Sequence, residues 1–465
     1  LLTGSEGTLA FSTEIKLNLD PLPPSETALL CVHFTTVNEA LQAVPLIMQH
    51  QPRAVELMDK TIMDCTKNNV ALSKYRFFVQ GDPMAILIIE LAANDKKDLT
   101  TALEKLENDL ITNQFGYQYP RVFPPDVHKV WHLRKAGLGV LSNLKGDKKA
   151  VTCIEDTAVS IEDLPAYIAE FTEMMEGYGQ KAIYYAHAGA GELHLRPMLN
   201  LKDPEDVKLF RAISHDTALL VKKYDGSLSG EHGDGRVRAE FIPLMIGTKN
   251  YAFLQQLKAT WDPNNIFNPG KIVNAPPMDT ALRYEVGQVE KPIDTLFNFS
   301  DTGGILKAAE QCTGSGDCRK TQLAGGTMCP SYMATRNEQD TTRARANVLR
   351  EMLTRSNKDN PFDHAEIYEV MDLCLSCKGC TSECPSNVDM STLKAEFLHQ
   401  YYQVNGIPLR AKLFANFGRL NRLAAFMPSV SNFILSNSLT APLVKKIMGV
   451  APQRSLPLLH RTTLR

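Results

Sequence analysis

Seven of the ten cysteines in this 465-residue chain lie in one stretch, between residues 312 and 384. Four of them, Cys374, Cys377, Cys380 and Cys384, are spaced C-x2-C-x2-C-x3-C and are followed by Pro385. This close spacing lets three thiolates bind one iron–sulfur cubane while the fourth reaches a neighbouring cluster. A zinc ribbon would instead need two C-x2-C pairs set well apart. The spacing therefore predicts an iron–sulfur cluster rather than zinc.

A second, degenerate group precedes that run. Cys312, Cys318 and Cys329 match the first, third and fourth positions of a similar motif, and Ser315 occupies the second. If the fourth cysteine of each run serves the other cluster, one [4Fe–4S] site has the four thiolates of Cys374, Cys377, Cys380 and Cys329. The three left over are Cys312, Cys318 and Cys384. Three thiolates suit a [3Fe–4S] cluster, a [4Fe–4S] cluster with a non-cysteine ligand, or no cluster, so the second cluster stays open.

A basic segment lies between the two cysteine groups. Residues Thr341 to Glu351 read TTRARANVLRE, and we expect a helix that carries Arg343, Arg345 and Arg350. The arginines are either a solvated basic face or positive charge beside an anionic cluster. In the second case they would raise the reduction potential of that cluster.

Histidines and a glutamate form a second candidate for chemistry. His187 and His194 flank a Gly-rich bend, and Glu231 and His232 follow Gly230 in another glycine-rich segment. Two imidazoles and one carboxylate can bind a divalent metal such as Zn or Mn and leave coordination positions open. A histidine in a Gly-rich turn is often only a loop residue, so these residues alone leave both readings open.

Composition restricts the classes of protein that can carry these groups. Apolar residues make up 44% and charged residues 22% of the chain, which are ordinary values for a globular protein. The formal net charge is −2, so the chain lacks the basic bias that is typical of nucleic-acid-binding proteins. We see neither a secretory signal nor an apolar run that could span a bilayer. Clustered cysteines without such a signal favour metal ligation in a reducing compartment, and we therefore expect a cytoplasmic location.

The pattern of apolar residues predicts the elements that position these groups. Buried strands are expected at 28–34 and 86–91, and amphipathic helices at 37–50, 99–113, 161–175 and 205–224. Because no Gly-rich βα turn recurs, we favour an α+β fold over a doubly wound sheet. We expect a first segment at 1–19, a mixed domain at 20–275, a linker at 276–301, a cysteine domain at 302–400 and a basic helical tail at 401–465.

Three motifs together resemble a known family, the FAD-linked oxidases of the vanillyl-alcohol-oxidase type. They are Thr3-Gly-Ser-Glu-Gly-Thr-Leu9, the histidine–glutamate segments, and Asp262-Pro-Asn-Asn-Ile-Phe-Asn-Pro-Gly-Lys271. Within that family the chain is most similar to D-lactate and D-2-hydroxyglutarate dehydrogenases fused to an iron–sulfur domain. The resemblance implies an antiparallel cap domain with helices, followed by an α-helical ferredoxin-type domain. It also implies that most of a flavin domain precedes Leu1 and that further redox segments follow Arg465.

The resemblance also implies roles for individual residues. His187, His194 and Glu231 would bind the divalent metal, His232 would be the base that takes the substrate's hydroxyl proton, and Arg134 would clamp the substrate carboxylate. Residues expected to contact FAD are Gly4, Ser5, Gly7, Thr8 and Asn268.

The sequence departs from the family pattern at a few positions. Ala190 and Glu192 stand where the family's HAGDGN bend has Asp and Asn, and no lysine lies next to Asp156. These departures affect the identity of the substrate rather than the class of reaction. One of Lys145, Lys148 and Lys149 is a candidate replacement for the missing lysine.

We therefore predict a dehydrogenase that oxidises a D-2-hydroxy acid with FAD and passes electrons through iron–sulfur to a quinone, cytochrome or carrier protein. A glycolate-oxidase-like enzyme, a pure electron-transfer subunit and an assembly module with structural clusters are the alternatives. The tail has nine Lys or Arg and no acidic residue. It suits either helices that cover the cysteine domain or a peripheral contact with the inner face of an anionic membrane.

Overall fold

The computed structural model describes residues 1–67, 72–142 and 144–460. Among these residues, eight strands form one antiparallel sheet. The strands are β1 (Glu26–Phe34), β2 (Ala54–Asp59), β3 (Ala85–Ala93), β4 (Arg121–Val122), β5 (Lys149–Ala150), β6 (Ile154–Ala158), β7 (Ala182–His187) and β8 (Glu192–Leu199).

The strand order is β4-β1-β3-β2-β7-β8-β5, and β6 pairs with β8 as well. Strands β1 to β4 thus have the spatial order of two interlocked β-α-β units. Side chains of a strand alternate between the two faces, so Leu30 and Val32 lie in one hydrophobic core while Leu29 and Cys31 lie in another. Both predicted strands are therefore buried on both faces, as their continuous apolar composition indicates.

Helices cover both faces of the sheet. On one face lie α1 (Val37–Met48), α3 (Lys96–Thr112), α6 (Leu164–Gly177) and α7 (Pro204–Lys223), and on the other α2 (Lys60–Lys67), α4 (Val127–Lys135) and α5 (Gly137–Ser142). Helices α8 (Ile242–Ile246) and α9 (Thr248–Trp261) follow. The α+β prediction is confirmed, and the four predicted helices are present with ends shifted by a few residues.

The cysteine segment has its own hydrophobic core. It contains α10 (Ile305–Glu310), α11 (Pro330–Thr335), α12 (Thr342–Arg355), α13 (Ala365–Asp372), α14 (Gly379–Glu383) and α15 (Met390–Asn405). The helix expected at Thr341 is α12, which continues to Arg355 because Leu349, Met352 and Leu353 pack into that core.

The stretch 276–301, which was expected to be a linker, has neither helix nor strand. It nevertheless packs against the rest of the protein. Phe299 packs against the second core, and the backbone N–H of Phe297 donates to Glu396 at 2.9 Å. Glu290, in the same stretch, pairs with Lys202 at 2.6 Å, and Lys202 also reaches Glu310 of α10 at 3.1 Å. These contacts fix the cysteine segment against the sheet domain.

The tail is helical, as predicted, and its helices are largely exposed. They are α16 (Leu409–Ala415), α17 (Phe417–Ala424), α18 (Pro428–Ser436) and α19 (Thr440–Met448). The expected boundary at 400 falls inside α15, which ends at Asn405. Across the described ranges, no helix is both long and apolar enough to cross a membrane. Arg461 and Arg465 lie outside the described residues.

Candidate active site and thiolate sites

A tight hairpin brings the two histidines of the Gly-rich bend together. His187 ends β7, His194 lies in β8, and the register pairs His194 with Tyr185. The bend closes at Gly191, whose φ is 69° and where a Cβ would lie 2.0 Å from the carbonyl oxygen of Val159. Only glycine fits there. The imidazole centroids of His187 and His194 consequently lie 5.0 Å apart.

The contacts of each Nδ1 orient these two rings. Nδ1 of His187 lies 2.8 Å from a carboxylate oxygen of Glu56 in β2, and Nδ1 of His194 contacts the carbonyl oxygen of Glu155. Both Nε2 atoms are therefore left to face Glu231. Such a hydrogen bond to the far nitrogen is the usual support for a metal-binding imidazole.

The protonation of the two rings differs. Burial lowers the pKa of His194 to about 4, so this imidazole is neutral near pH 7, as metal binding requires. The hydrogen bond with Glu56 instead raises the pKa of His187. A bound cation would displace that extra proton.

Asp156, in β6, positions the loop that carries Glu231 and His232. Its fully buried carboxylate accepts hydrogen bonds from the backbone N–H groups of both residues at 2.9 Å and from Ser229 at 2.5 Å. Burial opposes its ionisation, but these hydrogen bonds outweigh it and hold the pKa of Asp156 below its usual range. The loop conformation therefore depends on a buried anion.

Glu231 completes a three-residue cluster. A carboxylate oxygen of Glu231 lies 3.4 Å from Nε2 of His187 and 4.0 Å from Nε2 of His194. The ligand atoms of the three residues all lie within 4.8 Å of one another. Two imidazole nitrogens and one carboxylate at this separation fit a divalent cation such as Zn or Mn, with coordination positions left for a substrate.

His232 lies beside this cluster rather than in it. Its ring stacks on that of His194, with centroids 5.3 Å apart and planes 8° from parallel. Its Nε2 lies 3.2 Å from Glu231, and its side chain is 39% exposed. A partly exposed imidazole next to a metal-binding cluster can exchange a proton with both a bound substrate and water.

Arg134 lies beneath the cluster and is buried rather than on the helix surface. Its guanidinium packs on the ring of Tyr185 at 3.2 Å, and it donates to Glu56 and to the carbonyl oxygen of Ala186. Burial lowers the pKa of Arg134 to about 10, which still leaves it charged. Its buried Nε has no hydrogen-bond partner.

The residues expected to contact FAD meet next to the Glu231 loop. The amide of Asn268 donates to the carbonyl oxygen of Glu6 at 2.8 Å, and the Glu6 carboxylate accepts from the backbone N–H of Asp234 at 2.5 Å. Lys258 donates to the carbonyl oxygens of Thr8 and Phe267, both at 2.7 Å. The turn that contains Gly4, Ser5, Gly7 and Thr8 is thus fixed to the Asn268 turn and to the loop that follows His232.

Four thiols line one small cavity in the cysteine segment. They are those expected to share one cluster, Cys329, Cys374, Cys377 and Cys380. Left-handed residues at Ser376 (φ 52°) and Lys378 (φ 61°) curl the chain around this cavity. The set of donors fits a [4Fe–4S] cluster.

Of the remaining three thiols, that of Cys384 lines a cavity with residues of the sheet domain. Burial raises the pKa of Cys318 and of Cys384, and the charge of Cys312 raises both further, so the three are electrostatic neighbours. Ser315 and Asp317 line a cavity with Cys384. Side-chain oxygens therefore line the same cavity as Cys384.

One arginine of α12 reaches a thiol directly. Arg345 is fully buried, and its guanidinium lies 3.7 Å from Sγ of Cys329 and donates to the carbonyl oxygen of Asp340 at 2.7 Å. Arg343 and Arg350 instead pair with Glu338 and Glu351. The reading of α12 as a uniformly solvated basic face is therefore wrong for Arg345.

Comparison with known protein families adds two matches. The model described as "FAD linked oxidases, C-terminal domain" matches residues 23–272, and that described as "4Fe-4S dicluster domain" matches residues 311–389. The chain belongs to the FAD-linked oxidase family. The predicted resemblance is confirmed, and FAD and iron–sulfur are supported as classes of cofactor.

Some curated relatives match the whole length of this chain, and others match part of it. The chain is 30% identical to a "D-2-hydroxyglutarate dehydrogenase" of Escherichia coli over 100% of its own length and 49% of the relative. It is 29% identical to one of Pseudomonas putida over 99% of its length and 49% of that protein. A "D-lactate dehydrogenase" of Anaerostipes hadrus is 26% identical over 58% of the chain and 57% of the relative. The chain thus spans about half the length of the two hydroxyglutarate dehydrogenases.

Solved structures match about half of the chain, and only distantly. A 4-ethylphenol oxidase from Gulosibacter chungangensis aligns with a TM-score of 0.37 and 13% identity, over 55% of each chain. A p-cresol methylhydroxylase aligns with a TM-score of 0.38 and 15% identity, over 54% of this chain and 53% of the other.

Sequence reasoning missed residues that orient the site in this family member. Glu56 is the main one, and its signal was a lone carboxylate in the otherwise apolar start of β2. Asp156 was considered only as the residue next to which a lysine is missing, and its role in orienting the loop of Glu231 was not predicted. Glu192 is buried with one unpartnered carboxylate oxygen, and burial raises its pKa to about 7. Lys149, one of the three lysines considered as a replacement for the missing one, donates to the carbonyl oxygen of Leu144.

Proposed function

We propose that this chain is the substrate-binding and iron–sulfur part of a flavin-dependent dehydrogenase that oxidises a D-2-hydroxy acid to the 2-oxo acid. The observation that carries this proposal is the convergence of His187, His194 and Glu231, with His232 stacked beside them and Arg134 beneath. A cation site, a free imidazole and a buried guanidinium are together the groups needed to bind and deprotonate a hydroxy acid.

The three ligands would hold a divalent cation, Zn or Mn. Such a cation, when bound, polarises the substrate hydroxyl and lowers its pKa. Glu56 holds His187 in the orientation for binding, and the backbone of Glu155 does the same for His194. Asp156 holds Glu231 in reach of both rings.

Arg134 and His232 would act on the substrate itself. Arg134 would supply positive charge beneath the substrate carboxylate, for which a guanidinium is well suited. His232 is placed to take the hydroxyl proton and release it to water, because its ring is partly exposed. FAD, when bound, supplies the acceptor of the C2 hydride. The turn at Gly4 to Thr8 and Asn268 would form the part of its site that this chain provides.

The thiolate sets would carry electrons away. Cys329, Cys374, Cys377 and Cys380 would hold one [4Fe–4S] cluster, and Cys312, Cys318 and Cys384 a second cluster with a ligand that is not cysteine. Iron–sulfur clusters, when bound, accept one electron at a time. A quinone, cytochrome or carrier protein would be the final acceptor. The named relatives favour D-2-hydroxyglutarate or D-lactate as the substrate.

Anaerobic substrate screening of the FAD- and cluster-loaded protein tests the proposal. We expect one short D-2-hydroxy acid to bleach the flavin while its L-enantiomer does not. If no 2-hydroxy acid bleaches the flavin although dithionite does, the chain serves as an electron-transfer module instead.

We also propose that the tail contacts an anionic membrane surface at its periphery. Support comes from exposed apolar side chains, such as Phe426 and Leu439 at 83% each, in a segment without acidic residues. We expect salt-sensitive sedimentation with anionic vesicles, since salt screens exposed charges. A chain that ends at Gly406, just after α15, should lose this binding. Equal sedimentation of the full and the shortened chain would mean that the tail helices cover the cysteine domain and do not contact the membrane.

A further inference from the structure

Helix α5 (Gly137–Ser142) lies between the candidate substrate site and the cysteine segment, and two of its glycines make close contacts. A Cβ at Gly137 would lie 3.0 Å from the ring of Tyr185. That ring carries the guanidinium of Arg134 on its face and lies 5.6 Å from the ring of His194. One end of α5 therefore packs against Tyr185, the residue that contacts both Arg134 and His194.

The second glycine contacts the cysteine segment. A Cβ at Gly139 would lie 2.5 Å from the carbonyl oxygen of Pro385 and 2.6 Å from its Cβ. Neither atom belongs to a flexible side chain, so a larger residue at 139 would push the two chain segments apart. Pro385 directly follows Cys384.

The two thiolate sets differ in their relation to this contact. Cys384 lines a cavity of about 630 Å³ that the sheet domain closes with residues of α4 and α5, among them Lys135 and Gly139. The cavity that contains the four-thiolate set is lined by residues between 328 and 391, and none of these belongs to the sheet domain. The three-thiolate set is thus the one with a cysteine, Cys384, in a cavity that residues of the sheet domain also line.

Ion pairs hold the two domains in this arrangement. Lys202 lies 3.1 Å from Glu310 and 3.2 Å from Asp147, and Lys307 of α10 lies 3.2 Å from Asp147. Lys202 is only 9% exposed. Lys202 and Glu310 thus form a largely buried ion pair between the two domains.

We propose that the Gly139–Pro385 contact is the junction through which electrons leave the flavin site, and that Cys312, Cys318 and Cys384 hold the cluster that receives them first. This inference rests on the proposed function. Oxidation of one hydroxy acid releases two electrons and two protons. In the loaded protein the flavin would pass the two electrons on one at a time. The first would reach the four-thiolate cluster by way of the three-thiolate cluster, the second would stay on the three-thiolate cluster, and the two protons would go to water.

A substitution at the junction tests the first half of the proposal. In FAD- and cluster-loaded protein, Gly139→Ala should leave flavin reduction by substrate unchanged and slow cluster reduction several-fold, followed by stopped-flow absorbance. Gly177→Ala is the matched control, because no atom lies within 4 Å of the position where its Cβ would stand. An unchanged rate of cluster reduction in Gly139→Ala would overturn the junction.

Loss of one thiolate from each set tests the order. We expect Cys312→Ser to leave the four-thiolate cluster oxidised after flavin reduction, and Cys374→Ser to leave the three-thiolate cluster reducible, both read by freeze-quench electron paramagnetic resonance. Wild-type reduction of the four-thiolate cluster in Cys312→Ser would contradict the order.

Photoreduction of the flavin with an external donor separates this inference from the proposed function. It delivers electrons without any substrate, so the junction is tested even if no hydroxy acid is oxidised. Slow cluster reduction in Gly139→Ala under light, with no hydroxy acid active, would support the junction and reject the proposed function.

Discussion

The imidazole cluster and the thiolate sets are positioned in different ways. His187 and His194 lie on paired strands, and each ring is fixed by a protein acceptor, Glu56 or the backbone of Glu155. Cys374 and Cys377 lie instead in a loop without regular structure, next to left-handed Ser376. A sheet can hold metal ligands in place before the metal binds, whereas a loop of thiolates depends on its cluster. The difference predicts how each region responds when its inorganic group is removed.

Removal of iron should have the largest effect. Structural metal sites supply folding free energy on the order of 10 kcal/mol, so the cluster-free protein should lose its fold at 302–400. In hydrogen exchange we expect α12 and α15 to lose protection while β1 and β3 keep theirs. Equal protection of α12 with and without iron would show that the second core is stable alone.

Substitution of the buried arginine should have the next largest effect. Arg345→Met leaves Asp340 without its buried ion pair, which costs roughly 3–5 kcal/mol when one partner is lost. The loss of a positive charge near Cys329 should also lower the reduction potential of the four-thiolate cluster. Arg350→Met is the control, because Arg350 lies on the same helix but pairs with Glu351. A redox titration of both variants checks the potential, and identical shifts would remove the special role of Arg345.

A substitution behind the imidazole cluster should have a moderate effect. Glu56→Gln weakens the support of His187, and loss of such support lowers metal affinity about 10–100-fold. Glu90→Gln, on the neighbouring strand β3, is the control, because Glu90 pairs with Arg53 rather than with a histidine. Competition with a metal indicator measures both affinities. Equal affinity in the two variants would mean that the sheet alone orients the ring.

Removal of the divalent metal should have the smallest effect on stability. The strands that carry His187 and His194 pack into the hydrophobic core of the sheet domain. A chelator specific for the divalent cation should therefore change the melting temperature of that domain little. A large drop in melting temperature would show that the imidazole cluster, like the thiolate sets, depends on its metal for its structure.

The same difference explains what the sequence could predict. Apolar runs identified β1, β3 and four helices, because the spacing of buried residues along the chain follows directly from the geometry of a strand or a helix. Cysteine spacing grouped the thiolates for the same reason. Glu56 and Gly139 were missed because their partners, His187 and Pro385, are distant in the chain and their role appears only when the chain is folded. The departures at Ala190 and Glu192 likewise change a bend whose neighbours the sequence does not reveal.

The central claim is that His187, His194 and Glu231 hold a metal while His232 acts as the base. The direct test measures metal content and substrate-dependent flavin reduction side by side in His187→Ala and His232→Ala. We expect His187→Ala to lose both the metal and flavin reduction, because three protein ligands leave no spare. His232→Ala should keep the metal and lose flavin reduction. Wild-type flavin reduction in His232→Ala, or loss of its metal, would contradict the account.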